Sequence, residues 1–137
     1  MPSLSSKETI EHLLQNVESS SARLGDSSTF MSEIIEIVDA RLKSMPGKTQ
    51  VGVSDGDLSL WFGRIGQNWG LWITDAMSDI DPDSMTSRIP ISLPRASIPR
   101  KTRAFALLPQ LLRDIDGEHK RLIAGIDDTF DRLREGT

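Results

Sequence analysis

The sequence of 137 residues contains no cysteine, no tyrosine and only two histidines. Without a thiol, the chain cannot form a disulfide, a thiolate zinc site or a cysteine nucleophile. Two histidines are too few for a histidine-rich metal site, so we expect neither a metal nor another cofactor. The aromatic residues are three tryptophans and four phenylalanines, and the tryptophans are the unusual feature of the composition.

The sequence also lacks an excess of positive charge and any long apolar run. Sixteen Lys and Arg oppose twenty Asp and Glu, which gives a net charge of −4. Strong general attraction to nucleic acid or to an anionic membrane is therefore not expected. No apolar stretch approaches the roughly 18 residues of a membrane span, and the first residues do not resemble a secretory signal. We expect one domain over residues 1–137, located in the cytoplasm.

Two amphipathic helices are predicted at the N-terminus, over about residues 6–24 and 29–44. Gly25 is typical of a helix end and Ser28 of a helix cap, which places a turn between the two helices. The first helix carries apolar residues at the i, i+3, i+4 and i+7 positions of one face. These residues are Ile10, Leu13, Leu14, Val17 and Leu24. The two helices are expected to form a hairpin.

The next segment predicts a three-stranded antiparallel meander, with strands over about residues 49–53, 58–64 and 69–74. Asp55-Gly56 is a strong type I′ hairpin signal, and Gly66 before Gln67 suits a type II′ turn. A short fourth strand near Ile91 is a further option, because Ile89, Ile91 and Leu93 alternate there, although Pro90 and Pro94 interrupt the segment.

The predicted register of the meander collects apolar side chains on one face. Two-residue loops pair Val53 with Leu58 in the first hairpin and Phe62 with Leu71 in the second. Because side chains alternate along a strand, paired residues share a face. Both turns give the same parity to the whole apolar set, which is Val51, Val53, Leu58, Leu60, Phe62, Trp69, Leu71 and Ile73. This face is expected to lie against the core.

The opposite face of the meander places two large rings among small residues. The same register sets Trp61 directly opposite Trp72, with Gln50 on the same face among glycines and small polar side chains. One interpretation is that the same chain covers this face, or that the two rings pack on each other. The other is a contact surface for a second subunit, a partner protein or a small ligand, with Trp61, Trp72 and Gln50 as candidate binding residues.

An acidic loop and a basic segment follow the meander. The loop over residues 75–88 contains Asp79, Asp81 and Asp83, which resemble the start of an EF-hand loop, but Ser84 stands where that loop needs glycine. A calcium site is therefore not predicted. The basic segment carries five cations without an acidic residue among them, namely Arg88, Arg95, Arg100, Lys101 and Arg103. Their partners are expected to be the protein's own acidic loop, an acidic partner protein or phosphate groups.

Two further helices are predicted at the C-terminus, over about residues 98–107 and 109–134. Pro109 is poorly tolerated inside a helix, so a break or kink is expected there. The long helix carries an approximate heptad stripe that keeps its phase across Gly117, which favours one continuous helix over two helices that meet at Gly117. The stripe consists of Leu108, Leu112, Ile115, His119, Leu122, Ile126, Phe130 and Leu133. We interpret His119 as a polar residue tolerated in this stripe.

The sequence contains none of the usual catalytic motifs, because the phosphate loop, the dinucleotide fingerprint and the serine-hydrolase elbow are absent. The predicted fold is α+β, with a helical hairpin, a meander of three or four strands, a kinked helix and a long terminal helix. We expect a non-enzymatic protein-interaction module, such as an adaptor, a chaperone-like protein or a regulator. It should be a homodimer through the tryptophan face or the long helix. The alternatives are a nucleic-acid-associated regulator that uses residues 88–103 and a small-ligand binder that uses the Trp61/Trp72 face.

Overall fold

The computed structural model describes residues 2–75 and 89–136, with side chains from residue 6 onward. The elements in chain order are α1 (Pro2–Lys43), β1 (Val51–Asp55), β2 (Leu58–Ile65), β3 (Asn68–Asp75), β4 (Ile91–Ser92), a 3-10 turn (Leu93–Arg95) and α2 (Ile98–Glu135). The predicted α+β class is confirmed. The chain divides into two compact units, Met1–Ile34 and Ile35–Thr137, and its organisation as a single domain stays a prediction.

The first unit lies within helix α1, which continues without a turn to Lys43. The predicted helical hairpin over residues 6–24 and 29–44 is therefore wrong. The hydroxyl groups of Ser28 and Thr29 donate to the carbonyl oxygen of Gly25 at 3.1 and 2.9 Å, and they do not cap a new helix. A glycine inside a helix costs only about 1 kcal/mol relative to alanine, which is too little for Gly25 to end this helix.

The second unit contains one antiparallel sheet with the strand order β1-β2-β3-β4. The predicted fourth strand is confirmed, but it is short, because only Ile91 and Ser92 pair with β3. The second hairpin has the predicted register, with Trp61 directly opposite Trp72.

The first hairpin differs from its predicted register by two residues. Val53 pairs with Leu60 and not with Leu58, because the loop begins at Gly56 and not at Asp55. Gly56 has a φ of 61°, and among the described residues positive φ occurs only at glycine, which is the pattern of a type II′ turn. The predicted type I′ turn would have required a positive φ at Asp55. A shift of two residues preserves the faces of a strand, so the predicted apolar face is unchanged.

The core of the second unit contains the apolar face of the sheet and part of α2, which contacts β1 and β2. Trp69 stacks on Phe62 with ring centroids 5.3 Å apart, in agreement with its predicted place on the core face. The buried apolar residues of this unit are Ile35, Leu42, Leu58, Leu60, Phe62, Leu71, Ile73, Leu93, Ala104, Leu108, Leu111 and Ile115.

Helix α2 runs from Ile98 to Glu135 without interruption. The predicted break near residue 108 is wrong, because Pro109 lies inside the helix. Pro109 is exposed, while Leu108 and Leu111 beside it are buried. Their packing offsets the cost of about 3 kcal/mol that an internal proline imposes. The predicted continuity across Gly117 is confirmed. None of the described helices combines the length and the apolar character that crossing a bilayer requires.

Candidate interaction surfaces

The tryptophan face, which is the face of the sheet that carries Trp61 and Trp72, is bonded within the sheet. The two ring centroids lie 6.2 Å apart, with their planes inclined by 31°. Nε1 of Trp61 donates to Oγ1 of Thr74, and Nε1 of Trp72 donates to the carbonyl oxygen of Gly63, both at 3.1 Å. A partly buried indole N–H needs such a partner. The two rings therefore contact each other, and their polar atoms are satisfied without a ligand.

Gly63 is buried beside the ring of Trp61. A Cβ atom at this position would lie 2.8 Å from Cε3 and Cζ3 of Trp61 and 2.9 Å from Cγ of Gln50. A larger residue at position 63 would therefore displace the ring of Trp61 or the side chain of Gln50. Both side chains lie beside Gly63. An open groove of about 500 Å³ is lined by Gln50, Gly52, Val53, Ser54, Ser59, Trp61 and Thr74. Binding of a partner or ligand by Trp61, Trp72 and Gln50 stays a prediction.

Two cations of the basic segment bind carboxylates of the same chain. Nη2 of Arg103 lies 2.7 Å from Oδ1 of Asp57 in the turn between β1 and β2. Nε of Arg100 lies 3.5 Å from Oδ2 of Asp75, which is the first residue of the predicted acidic loop. Asp75 is the last residue of β3 in the structure, so pairing of the basic segment with the aspartates of the acidic loop stays a prediction, and the partner of Arg103 comes from a turn that the sequence did not suggest.

The other three cations of the basic segment have different surroundings. Arg95 ends the 3-10 turn and is exposed, whereas Lys101 is half-buried in the first turns of α2. Arg88 and the aspartates at 79, 81 and 83 lie outside the described residues. An anion site or acidic-partner site that uses all five cations stays a prediction.

The pair formed by Arg103 and Asp57 is charged at neutral pH. The hydrogen bond from Arg103 is the largest effect on Asp57 and lowers the pKa of that carboxyl below its ordinary value of 3.8, although burial opposes the shift. The same hydrogen bond raises the pKa of Arg103. The pair links the turn between β1 and β2 to the start of α2.

Asp39 near the end of α1 is a buried carboxylate that the sequence analysis missed. Its Oδ1 accepts the backbone N–H of Leu71 at 2.9 Å, and its Oδ2 lies 2.8 Å from Nζ of Lys43. Because β4 pairs only with residues 72 and 73 of β3, the carboxylate bonds a strand amide that β4 does not reach. The available signal was an aspartate within the apolar pattern of Val38 and Leu42, with a lysine four residues later.

A polar cleft of about 800 Å³ lies beside Asp39 at the edge of β3. Its lining combines two acids, two cations and two indole rings, and includes Glu36, Asp39, Lys43, Asn68, Trp69, Trp72, Ser92 and Arg95. The charges of the lining balance, and both oxygens of Asp39 already have partners. The cleft therefore does not favour a ligand of either charge.

The second half of α2 exposes the apolar stripe that the first half buries. In the first half, Leu108, Leu111 and Ile115 are at most 4% exposed, whereas Leu112, which the sequence placed in the stripe, is 37% exposed, so the buried face contains Leu111 in place of Leu112. In the second half, five large side chains form what we call the distal stripe, namely Leu122, Ile123, Ile126, Phe130 and Leu133. Leu122 is half-buried, and the other four are 54–62% exposed. Such a stripe needs a surface against which it can be buried.

An apolar groove of about 440 Å³ lies at the near end of the distal stripe. One wall is the segment that follows α1, and the other is formed by α2. The lining residues are Met45, Pro46, Gly47, Lys48, Thr49, His119, Leu122, Ile123 and Ile126. His119 is half-buried here, and Oγ1 of Thr49 is buried without a hydrogen-bond partner. The groove joins the distal stripe, so one apolar partner could contact both.

A second exposed stripe lies on α1, within the first unit. Its residues, Ile10, Leu13, Leu14, Val17 and Leu24, are 53–59% exposed. They follow helical spacing and share one face, as predicted, but the hairpin partner expected to cover them does not exist. Phe30, predicted on the apolar face of the second helix, is 65% exposed.

No group of three or more histidines and carboxylates able to hold a metal ion occurs within residues 2–75 and 89–136. No family model matches the chain, and comparisons with curated proteins and with solved structures found no match. The exposed stripes and the tryptophan face are therefore the basis for assigning a function.

Proposed function

We propose that this chain is a non-enzymatic protein-interaction module that forms a homodimer in the cytoplasm and acts as an adaptor, a chaperone-like protein or a regulator. The observation that carries the proposal is the distal stripe of α2. It continues, along one helix, a stripe whose first half is buried. Apolar side chains that stand exposed in a row on a long helix are typical of a contact with another chain.

A second copy of the same helix is the partner that we propose for the distal stripe. The four half-exposed side chains of the stripe offer about 100 Å² of apolar surface each and the half-buried Leu122 offers less, which gives on the order of 450 Å² per copy. Two copies would then bury about 900 Å², which is the size of a weak interface. We expect a dissociation constant on the order of 10 μM, because association itself costs several kcal/mol.

The tryptophan face is the weaker candidate for the dimer contact. Both indole N–H groups already donate within the sheet, so a partner would gain only apolar contacts there. Arg100 and Arg103 are bound to carboxylates, which favours the interaction module over the nucleic-acid alternative. The stripe on α1 is proposed as the surface for an amphipathic helix of a partner protein, which is the adaptor part of the proposal.

The dimer is tested by size-exclusion chromatography with light scattering on the full chain and on Ile126→Asp. A carboxylate placed in the centre of the distal stripe should weaken association about 100-fold or more, since burying an unpaired charge is costly. Ala124→Asp is the matched control, because Ala124 is exposed on the same helix but lies outside the stripe.

The proposal expects dimers for the full chain and for Ala124→Asp, and monomers for Ile126→Asp. A monomeric full chain at every accessible concentration would remove the homodimer. A dimer that persists in Ile126→Asp would move the contact to another surface, with Trp61→Ala and Val17→Asp as the next variants to measure.

A further inference from the structure

We infer that two α2 helices pair in antiparallel orientation, with Gly125 of one copy against Gly125 of the second copy at the two-fold axis. This inference rests on the proposed homodimer and specifies its geometry. It follows from the heptad positions of the distal half of α2, which is one continuous helix across these residues.

The central positions of the stripe match best in this orientation. In a heptad stripe, His119, Ile126 and Leu133 occupy one core position and Leu122 and Thr129 the other. Antiparallel helices pack residues of the first kind against residues of the second kind. Leu122 then contacts Ile126 of the second copy, and by symmetry Ile126 contacts Leu122. His119 lies against Thr129 of the second copy, so the two polar residues at core positions share a layer.

Most positions that flank the stripe match in the same register. On one side, Gly125 meets Gly125 of the second copy, and Glu118 meets Arg132. On the other side, Ile123 meets Ile123, whereas Phe130 lies against Asp116 and gains no apolar partner. A Cβ atom at Gly125 would have no atom of its own chain within 4 Å, so the glycine is not required by the fold of one copy. Two glycines at the axis allow the helix backbones to approach closely.

The charges near the stripe also support this orientation. Glu118 lies next to Arg121, and Arg132 lies 3.0 Å from Asp128 along the same helix. In the antiparallel pair, Glu118 and Arg132 of the two copies attract each other at both ends of the contact. Exposed pairs of this kind add little affinity, but opposite signs favour one orientation over the other.

A parallel pair keeps the apolar contacts at Leu122 and Ile126 but loses the other matches. Identical core residues would face each other, so His119 would lie against His119 and Thr129 against Thr129. The flanking contacts would join Glu118 to Ile123 and Gly125 to Phe130. No charge pair would form across the stripe, and the small residue would face a large ring in place of another glycine.

The open groove beside the stripe fits the same arrangement. It is lined by Leu122, Ile123 and Ile126 on α2 and by the segment Met45–Thr49. A second helix that lies along the distal stripe adds the missing wall of this groove. The same helix brings Thr129 next to His119, and so supplies a hydroxyl partner for the half-buried imidazole.

Disulfide cross-linking tests the orientation directly, because the chain has no cysteine of its own. The single variants are Gly125→Cys, Glu118→Cys, Ile123→Cys and Arg132→Cys. Asp131→Cys is the collision control, since residue 131 lies on the far side of the helix from the stripe. Each reduced variant is first checked for its mass by light scattering and for its helix content, and the proteins are then oxidised alone and in mixtures.

The antiparallel pair predicts that Gly125→Cys links to itself on the order of tenfold faster than Asp131→Cys, because the dimer raises the local thiol concentration. Glu118→Cys and Arg132→Cys should link to each other in a mixture, and neither should link to itself above the control rate. A mixture in which Glu118→Cys links to Ile123→Cys, while Glu118→Cys does not link to Arg132→Cys above the control rate, would overturn the inference in favour of a parallel pair.

Two further outcomes are decisive. In one outcome the reduced proteins are dimers, but no cysteine at position 118, 125 or 132 links faster than the control. This would overturn the inference and leave the homodimer in place on another surface. Reduced proteins that are all monomers, together with a monomeric full chain, would remove the homodimer itself. If Gly125→Cys fails to fold, the mixture of Glu118→Cys and Arg132→Cys still separates the two orientations.

Discussion

The two halves of helix α2 carry the same type of apolar stripe but differ in burial. Leu108, Leu111 and Ile115 in the first half are at most 4% exposed, whereas Ile123 and Ile126 in the second half are 55–56% exposed. Helix spacing alone does not produce this difference. The sheet supplies a partner for the first half, and within the described residues no comparable surface covers the second.

The comparison teaches that an apolar stripe predicts a covered helix face but not the chain that covers it. Burial stabilises a core leucine by about 1.5–3 kcal/mol relative to exposure. The distal stripe gains this stabilisation only when another molecule is present. A substitution in the packed half should therefore change folding, and one in the distal half should change association.

The largest expected effect separates Leu111→Ala from Ile126→Ala. Leu111 is 0% exposed, so its truncation leaves a cavity and should lower the free energy of unfolding by about 2–5 kcal/mol. Ile126→Ala should leave unfolding of the dilute monomer within about 0.5 kcal/mol of the unsubstituted chain. Urea denaturation at about 1 μM, which is below the expected dissociation constant, measures both. Equal losses would mean that the distal stripe is packed within one chain.

The next effect concerns the buried carboxylate of Asp39. Asp39→Ala leaves the N–H of Leu71 without its acceptor and should cost about 1–3 kcal/mol in unfolding experiments. Asp39→Asn keeps an acceptor oxygen and should cost less. Asp128 in the distal half is paired with Arg132 but is 61% exposed, and Asp128→Ala should cause no measurable loss. A silent Asp39→Ala would show that the edge of β3 needs no acceptor.

Two glycines should respond with opposite signs to substitution by alanine. At Gly63 the added Cβ would lie 2.8 Å from the ring of Trp61, so Gly63→Ala should destabilise the fold by about 1–3 kcal/mol. Gly117 has open space around its Cα and lies inside α2, so Gly117→Ala should stabilise by up to about 1 kcal/mol. Thermal unfolding followed by circular dichroism separates the two. Loss of stability in Gly117→Ala would reveal a contact in the distal half.

The smallest effect is the pH dependence of two ion pairs. Hydrogen bonds from arginine lower the pKa of Asp57 below 3.8 and that of Glu118 below 4.5. A carboxyl whose pKa is lowered by folding stabilises the folded state at pH values above its unfolded-state pKa. This stabilisation is lost as the pH falls through the pKa of the folded state. The free energy of unfolding of Asp57→Asn and of Glu118→Gln should therefore fall less between pH 5 and pH 3 than that of the unsubstituted chain. Unchanged slopes would mean that neither pair contributes.

Much of the sheet was predictable from the sequence because two independent turns define one parity. Gly66 fixed the second hairpin, and Trp61 lies opposite Trp72 as expected. The predicted register of the first hairpin was wrong by two residues. Asp55-Gly56 forms a type I′ turn only when Asp55 adopts a positive φ, and in the structure Gly56 has the positive φ. The error did not move any side chain to the other face, since strand faces repeat every two residues.

The helix boundaries were less predictable, because local signals were overridden. Gly25 does not end α1, since its cost of about 1 kcal/mol inside a helix is too small to end one, and Ser28 and Thr29 bond back to its carbonyl oxygen and do not cap a new helix. Pro109 does not end α2, since the residues around it are held in the core. The hydrogen bond from the N–H of Leu71 to Asp39 could not be predicted. The N–H of Leu71 is open to a side chain because β4 pairs only with residues 72 and 73 of β3, and the sequence does not show where this pairing stops.

The central claim, that a second copy covers the distal stripe, is tested most directly by sedimentation equilibrium of the unsubstituted chain. The concentration should range from about 1 to 500 μM, which brackets the expected dissociation constant. The account predicts a weight-average mass that rises from the 15.2 kDa of one chain towards twice that value. A mass that stays at 15.2 kDa throughout would contradict it.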